Sequence, residues 1–248
     1  MAPVNLLLET TALSKTFDGL EAVRPVDFRL DRGEIRAIIG PNGAGKTTLV
    51  SMISGRITPT SGTVQFKSRD ITRLKAWDRV ALGIVYTFQV TSIFKNLSVY
   101  DNMALAVQRR VMRRSLDRIV LSQSALAERV DAGLTEVGLL TVREQQAGSL
   151  PYGHQKLLEV AMALALRPEV LILDEPTQGL APEEITALCQ LIGELSQVLT
   201  ILLIEHNVAV VLELARKITV MDKGSVIAEG TPGEIEAHPG VQKAYLGL

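Results

Sequence analysis

The clearest chemistry lies in Gly40-Pro41-Asn42-Gly43-Ala44-Gly45-Lys46-Thr47, with Thr48 directly after. These residues fit the pattern G-x-x-x-x-G-K-[ST]. Glycines at these spacings let the backbone turn so that successive N–H groups converge on phosphate oxygens, and a following helix adds its positive end. Lys46 supplies a point charge for β- and γ-phosphates, and the Thr47 hydroxyl is a ligand type suited to Mg2+. Such a match is meaningful between a strand and a helix, and Ile35 to Ile39 and Lys46 to Ser54 read as that pair. The pattern predicts a nucleoside triphosphate bound by residues 40–48.

A triphosphate site that cleaves its ligand also needs carboxylates, and Leu171-Ile172-Leu173-Asp174-Glu175 offers two at the end of an apolar run. Side chains alternate along an extended chain, so adjacent carboxylates point apart. Asp174 is expected to face the metal and Glu175 to take a proton from attacking water. His154, His238 and Cys189 have no metal-ligand spacing, which argues against zinc.

These groups need a scaffold. Ile35 to Ile39, Val170 to Leu173 and Thr200 to Ile204 are apolar, β-branched runs, each followed by a helix-like segment; this predicts an α/β fold with a parallel central sheet. Val26 to Leu30 and Thr63 to Phe66 alternate apolar and polar instead, as half-exposed antiparallel strands do. Residues 90–165 read as helical and interrupt the alternation, so they are expected to form an inserted helical subdomain. The core is then 1–89 and 166–248, in a single domain 1–248. Arg109, Arg110, Arg113, Arg114 and Arg118 would largely share one helical face, read first as a solvated basic surface and alternatively as a contact for lipid headgroups or an acidic partner.

Composition narrows the function classes. The chain has 248 residues, with 26 Lys plus Arg against 27 Asp plus Glu and a net charge of −1, which argues against a nucleic-acid partner. Four Tyr, five Phe and one Trp are too few for an aromatic base-stacking platform. A hydrophobic share of 47% excludes a disordered acidic chain, and the single Cys189 excludes an internal disulfide. The opening MAPVNLLLETTALS has too short an apolar run for a signal peptide, and no run reaches the ~18 residues of a membrane span.

With these residues in hand, the whole chain resembles the nucleotide-binding subunit of an ATP-binding cassette (ABC) transporter. Gln89 in Tyr86-Thr87-Phe88-Gln89 resembles the family's Q-loop glutamine, a Mg2+ neighbour that reports nucleotide state. Leu150-Pro151-Tyr152-Gly153-His154-Gln155 resembles the signature motif, and His206 after Glu205 the switch histidine. Phe17 sits where the family stacks an aromatic on adenine. The resemblance implies ATP and Mg2+ as ligands. It also implies a P-loop core with a mixed central sheet, an antiparallel β subdomain and a helical insert.

Departures refine it. The common signature is Leu-Ser-Gly-Gly-Gln, whereas Pro151, Tyr152 and His154 stand here in place of Ser, Gly and Gln. Pro151 has neither hydroxyl nor backbone N–H to give. The form resembles the variant of branched-chain amino acid transport ATPases, as do Gly179-Leu180-Ala181-Pro182, with Ala181 replacing an aspartate, and the ending Gly230-Thr231-Pro232 to Tyr245-Leu246-Gly247. In that family two such subunits pair head to tail, and Leu150 to His154 of one close over ATP held by the other. The implied partners are a second ATPase subunit, membrane permeases and, indirectly, a periplasmic or extracellular solute-binding protein. The implied place is the cytoplasmic face of the membrane. The implied solutes are branched-chain or other hydrophobic amino acids, urea or amides. The alternatives are a soluble ABC-type ATPase without a permease and an ATPase of lipid or lipopolysaccharide export. One P-loop and no sustained heptads count against the first.

Overall fold

The computed structural model describes residues 5–89, 91–112 and 122–242. The chain runs β1 (Leu6–Phe17), β2 (Leu20–Asp31), β3 (Ile35–Ile39), α1 (Lys46–Ile53), β4 (Ser61–Phe66), β5 (Arg69–Asp70), α2 (Ala76–Leu82) and β6 (Ile84–Thr87). The helices α3 (Val99–Met112), α4 (Gln123–Glu136) and α5 (Tyr152–Ala165) follow. Then come β7 (Val170–Asp174), α6 (Pro182–Leu195), β8 (Thr200–Ile204), α7 (Val208–Leu214), β9 (Lys217–Asp222), β10 (Ser225–Gly230), α8 (Pro232–Glu236) and α9 (Pro239–Val241).

A 6-stranded sheet has the order β10-β9-β3-β8-β7-β6, parallel except for the β9–β10 pair. Strands β3, β7 and β8 are buried along their whole length, which is why their sequences are mostly apolar, with Arg36, Asp174 and Thr200 as buried polar exceptions. Alternate residues serve opposite faces. Ile172, Leu202 and Ile204 pack with α1 and the second sheet, while Leu171, Leu173, Ile201 and Leu203 pack with α5 and α6. The second sheet is 4-stranded and antiparallel, in the order β2-β1-β4-β5. Its β1–β2 hairpin turns at Asp18-Gly19, both at positive φ (45° and 88°), the backbone that a right-twisted two-residue turn requires.

The expected mixed parallel-sheet core and antiparallel sheet are both present. Between β6 and β7 the named elements are helical. Helices α3, α4 and α5 share a separate apolar cluster built on Val99, Met103, Val107, Val130, Leu134 and Leu158. Helix α5 belongs to both regions: Leu158 and Ala161 face that cluster, Val160 and Ala163 the central sheet. Of the arginine face, Arg109 is exposed on α3; the Arg110 side chain, Arg113, Arg114 and Arg118 lie outside the described residues, as does Tyr245-Leu246-Gly247. Among the described residues no helix is long and apolar enough to cross a membrane.

Candidate active site

The strand order places four carboxyl ends side by side. The phosphate loop follows β3, Glu205 and His206 follow β8, Asp174 and Glu175 close β7, and Gln89 follows β6. The carboxyl edge of such a sheet is where ligands of this architecture bind.

The loop is fixed from both sides. Gly40 has φ 149°, and a Cβ there would lie 2.1 Å from the Met221 carbonyl oxygen; Gly45 has φ 96°, with the Ala22 carbonyl oxygen at 2.5 Å. Neither site tolerates a side chain, so the glycines are steric requirements as well as turn-formers. The Gly224 amide donates to the Ala44 carbonyl at 3.0 Å, joining the loop to the β9–β10 turn. Lys46 Nζ is folded over the loop, donating to the carbonyls of Gly40 (2.7 Å) and Pro41 (3.0 Å). Burial lowers the pKa of that ammonium, against the opposing pull of Glu175 and Asp174. Thr47 is exposed and Thr48 half-buried in the first turn of α1. At the other end of α1 the fully buried Arg79 donates to the carbonyls of Met52 and Ile53, both at 2.7 Å. A cation there meets the negative end of the helix, and burial lowers its pKa to about 10.

The two carboxylates take different partners, as alternation requires. Asp174 is 2% exposed; its Oδ2 accepts a hydrogen bond from the Tyr86 hydroxyl, and its Oδ1 is buried with no partner among the described residues. Burial raises the Asp174 pKa, Tyr86 opposes that, and the neighbouring Glu175 charge adds to it. An unpartnered buried carboxylate oxygen fits a divalent cation. Among the described residues no group of three or more His, Cys, Asp or Glu could hold a metal, so the remaining ligands would be hydroxyl, amide, water or phosphate oxygens. Glu175 leaves the strand at φ 49°, an uncommon conformation for a residue with a Cβ. Its Oε2 accepts from Gln89 Nε2 and its Oε1 lies against His206 Nε2, both at 2.7 Å. Asp174, Glu175, Gln89 and His206, distant in sequence, thus meet on one edge.

Several residues that hold this edge were not singled out from the sequence. Buried Glu205 accepts from Thr177 N (3.0 Å) and Oγ1 (2.6 Å) through Oε1, and from His206 N (2.9 Å) and Asn207 N (3.2 Å) through Oε2. It ties the loop after β7 to the loop after β8. On α5, Lys156 Nζ donates to the carbonyls of Phe88 and Gln89, and Glu159 accepts from the amides of Phe88 and Ser92. Lys156 and Glu159 are buried charges three residues apart on an otherwise apolar face, a pattern readable in sequence. Tyr86 and Arg79 left no such trace.

Leu150 to His154 lie elsewhere, at the start of α5. Pro151 is its N-cap and gives no side-chain cap; Leu150 and Gly153 are buried, Tyr152 and His154 exposed. The Tyr152 ring covers Gly179, where a Cβ would lie 3.2 Å from Cε1, and Gly153 abuts Glu184, whose Oε1 would lie 2.2 Å from a Cβ. Phe17 is 41% exposed at the β1–β2 turn, with Lys15 Nζ 4.9 Å from its ring centre.

Phosphate loop, acidic strand end and mixed sheet together define a P-loop ATPase. Residues 23–178 match the family described as "ABC transporter", and residues 225–247 the family described as "Branched-chain amino acid ATP-binding cassette transporter". The chain is 38% identical over 250 residues to the high-affinity branched-chain amino acid transport ATP-binding protein LivG of Escherichia coli (strain K12), covering 97% of this chain and 98% of that one. Among solved structures it is similar to a nucleotide-free ATP-binding cassette from an ABC transporter (TM-score 0.86, 28% identity, 98% of this chain and 100% of the other). It is also similar to the ADP conformation of an ATP-binding cassette of an ABC transporter (TM-score 0.85, 29% identity, 98% and 99%). The chain belongs to the ABC transporter family, as its ATP-hydrolysing, nucleotide-binding subunit.

Proposed function

We propose that this subunit hydrolyses MgATP to drive import of branched-chain or other hydrophobic amino acids, with urea and amides as neighbouring solute classes. The observation that carries the catalytic reading is Glu175, held between Gln89 and His206 beside the unpartnered Oδ1 of Asp174. The amino-acid reading rests on LivG, similar over nearly the full length, and on the match of residues 225–247.

In this reading residues 40–48 cradle the phosphates through backbone N–H groups and Lys46. Phe17 stacks on the base, and Thr47, Gln89 and Asp174 would hold Mg2+, which would offset phosphate charge. Glu175 accepts the proton of the attacking water, and His206, on its other oxygen, orients the γ-phosphate. Leu150 to His154 bring the free N–H groups of the α5 start to the ATP of a second subunit, paired head to tail. Residues 1–89 and 166–248 act as the nucleotide core and 90–165 as the helical part that meets permease subunits at the inner face of the membrane. A solute-binding protein completes the system outside.

The test is reconstitution with permease subunits of a branched-chain amino acid importer from the same source, in lipid vesicles carrying a solute-binding protein. ATP-dependent uptake of labelled leucine, with ATPase activity stimulated by the loaded binding protein, is expected. Stimulation by the permeases without uptake of any of these solutes would reject the cargo; no stimulation at all would reject the transport coupling.

A further inference from the structure

The two oxygens of Asp174 have unequal surroundings: Oδ2 is held by the Tyr86 hydroxyl and Oδ1 is buried and unpartnered. Tyr86 lies on β6 level with Ile172 of β7, so its phenol reaches along the neighbouring strand to the strand's last residue. Its ring is fixed without help from the hydroxyl. It packs edge-on to Phe88 with centroids 5.4 Å apart, and the Arg56 guanidinium lies 4.4 Å from its centre.

A carboxylate free to rotate can offer both oxygens to a cation; one pinned through Oδ2 offers a single oxygen. Mg2+ demands small octahedral coordination, whereas Ca2+ readily takes a carboxylate through both oxygens at longer range. We propose that Tyr86 is a positioning residue for the divalent cation that accompanies the nucleotide, presenting Asp174 Oδ1 alone and so favouring Mg2+ over Ca2+. This rests on the assignment of Asp174 to that cation. Partners that orient a ligand from behind commonly change metal affinity by ~10–100-fold.

The experiment uses Tyr86→Phe, which keeps the ring contacts, beside Asp174→Asn and the parent protein. Mn2+ binding with a non-hydrolysable ATP analogue is followed by electron paramagnetic resonance, with Mg2+ and Ca2+ as competitors. Affinity for a fluorescent ATP analogue is measured in chelator. Tyr86→Phe is expected to weaken Mn2+ binding ~10-fold and to narrow the preference for Mg2+ over Ca2+, with metal-free nucleotide affinity unchanged. Unchanged Mn2+ affinity in Tyr86→Phe, while Asp174→Asn weakens it, overturns the role of Tyr86 alone. Equal losses with and without metal overturn it too, since the hydroxyl would then be merely structural. Normal Mn2+ binding by Asp174→Asn overturns the assignment of Asp174 and the inference with it.

Discussion

The phosphate loop is enclosed by its own chain, whereas the first turn of α5 is supported on one side and open on the other. Around the loop, Met221 and Ala22 carbonyls press on Gly40 and Gly45, Gly224 binds Ala44, and Arg79 anchors the far end of α1. The α5 start begins at Pro151 without a side-chain cap, and the first helical amide bond runs from Gln155 to Pro151, so the amides before it are left without intrahelical acceptors. Glu184 and Gly179 back it, while Tyr152 and His154 stay exposed. One region is held by its own chain on every side, and the other presents N–H groups that its own helix does not use. In the proposed head-to-tail pair, the α5 start of one copy would supply N–H groups to the phosphate of the other.

The largest effect should separate these regions outright. Glu175→Gln keeps the shape of the side chain and removes the base, so turnover should fall by about 10²–10⁴ while ATP still binds. With hydrolysis stalled, the protein should run as a dimer in ATP and as a monomer in ADP, by light scattering at matched concentration. Adding Gly153→Asp should abolish that dimer, because the new carboxylate both faces phosphate and collides with Glu184. Glu184→Gln serves as a control that should preserve it. Normal turnover in Glu175→Gln would mean another group is the base; ATP binding without dimerisation would deny the α5 start its role.

The enclosed region can be loosened from behind. Arg79→Met removes donors from the carbonyls of Met52, Ile53, Leu74 and Thr72, with an expected loss of about 2–4 kcal/mol in urea unfolding. A loss below about 0.5 kcal/mol would show that α1 does not depend on this anchor. Lys46→Ala acts at the other end of the same helix. It removes a charge-assisted phosphate contact worth roughly 1.5–3 kcal/mol, about 10–150-fold in ATP affinity by calorimetry with Mg2+. Unchanged affinity would reject the loop as the phosphate site.

How far the sequence carried these conclusions differs between the same two regions. Strands β3 and β8 are legible to the residue because burial on both faces leaves mostly apolar side chains, and the loop pattern is legible because Gly40 and Gly45 are forced sterically. Asp174 and Glu175 are legible as a pair, and Gln89 and His206 through the family resemblance, but Tyr86 and the contacts among these residues are not. Tyr86, Gln89 and His206 arrive from other strands, and the strand order that brings them together leaves no local mark. Glu205 reads as one polar residue between a strand and a histidine, although it gathers the amides of the loops after β7 and β8. The packing of Tyr152 on Gly179 is likewise a tertiary fact, invisible in a motif compared only by its letters.

The smallest expected effect falls on the rim of the enclosed region, where the chain contributes contact area rather than charge. Phe17 stands at the β1–β2 turn, and the Ala22 carbonyl, early in β2, presses on Gly45, so the hairpin that carries the aromatic also abuts the loop. Lys15 already lies 4.9 Å from the centre of the ring, so one face carries a cation and a base would stack on what remains. Stacking of this kind contributes about 0.5–1.5 kcal/mol, so Phe17→Ala should weaken ATP about 2–10-fold. Every base has a π-face, so GTP should weaken by the same factor, and Phe17→Trp should restore both. A loss confined to ATP would mean that Phe17 reads the edge of adenine. No loss for either nucleotide would place the base elsewhere and leave Phe17 an exposed turn residue.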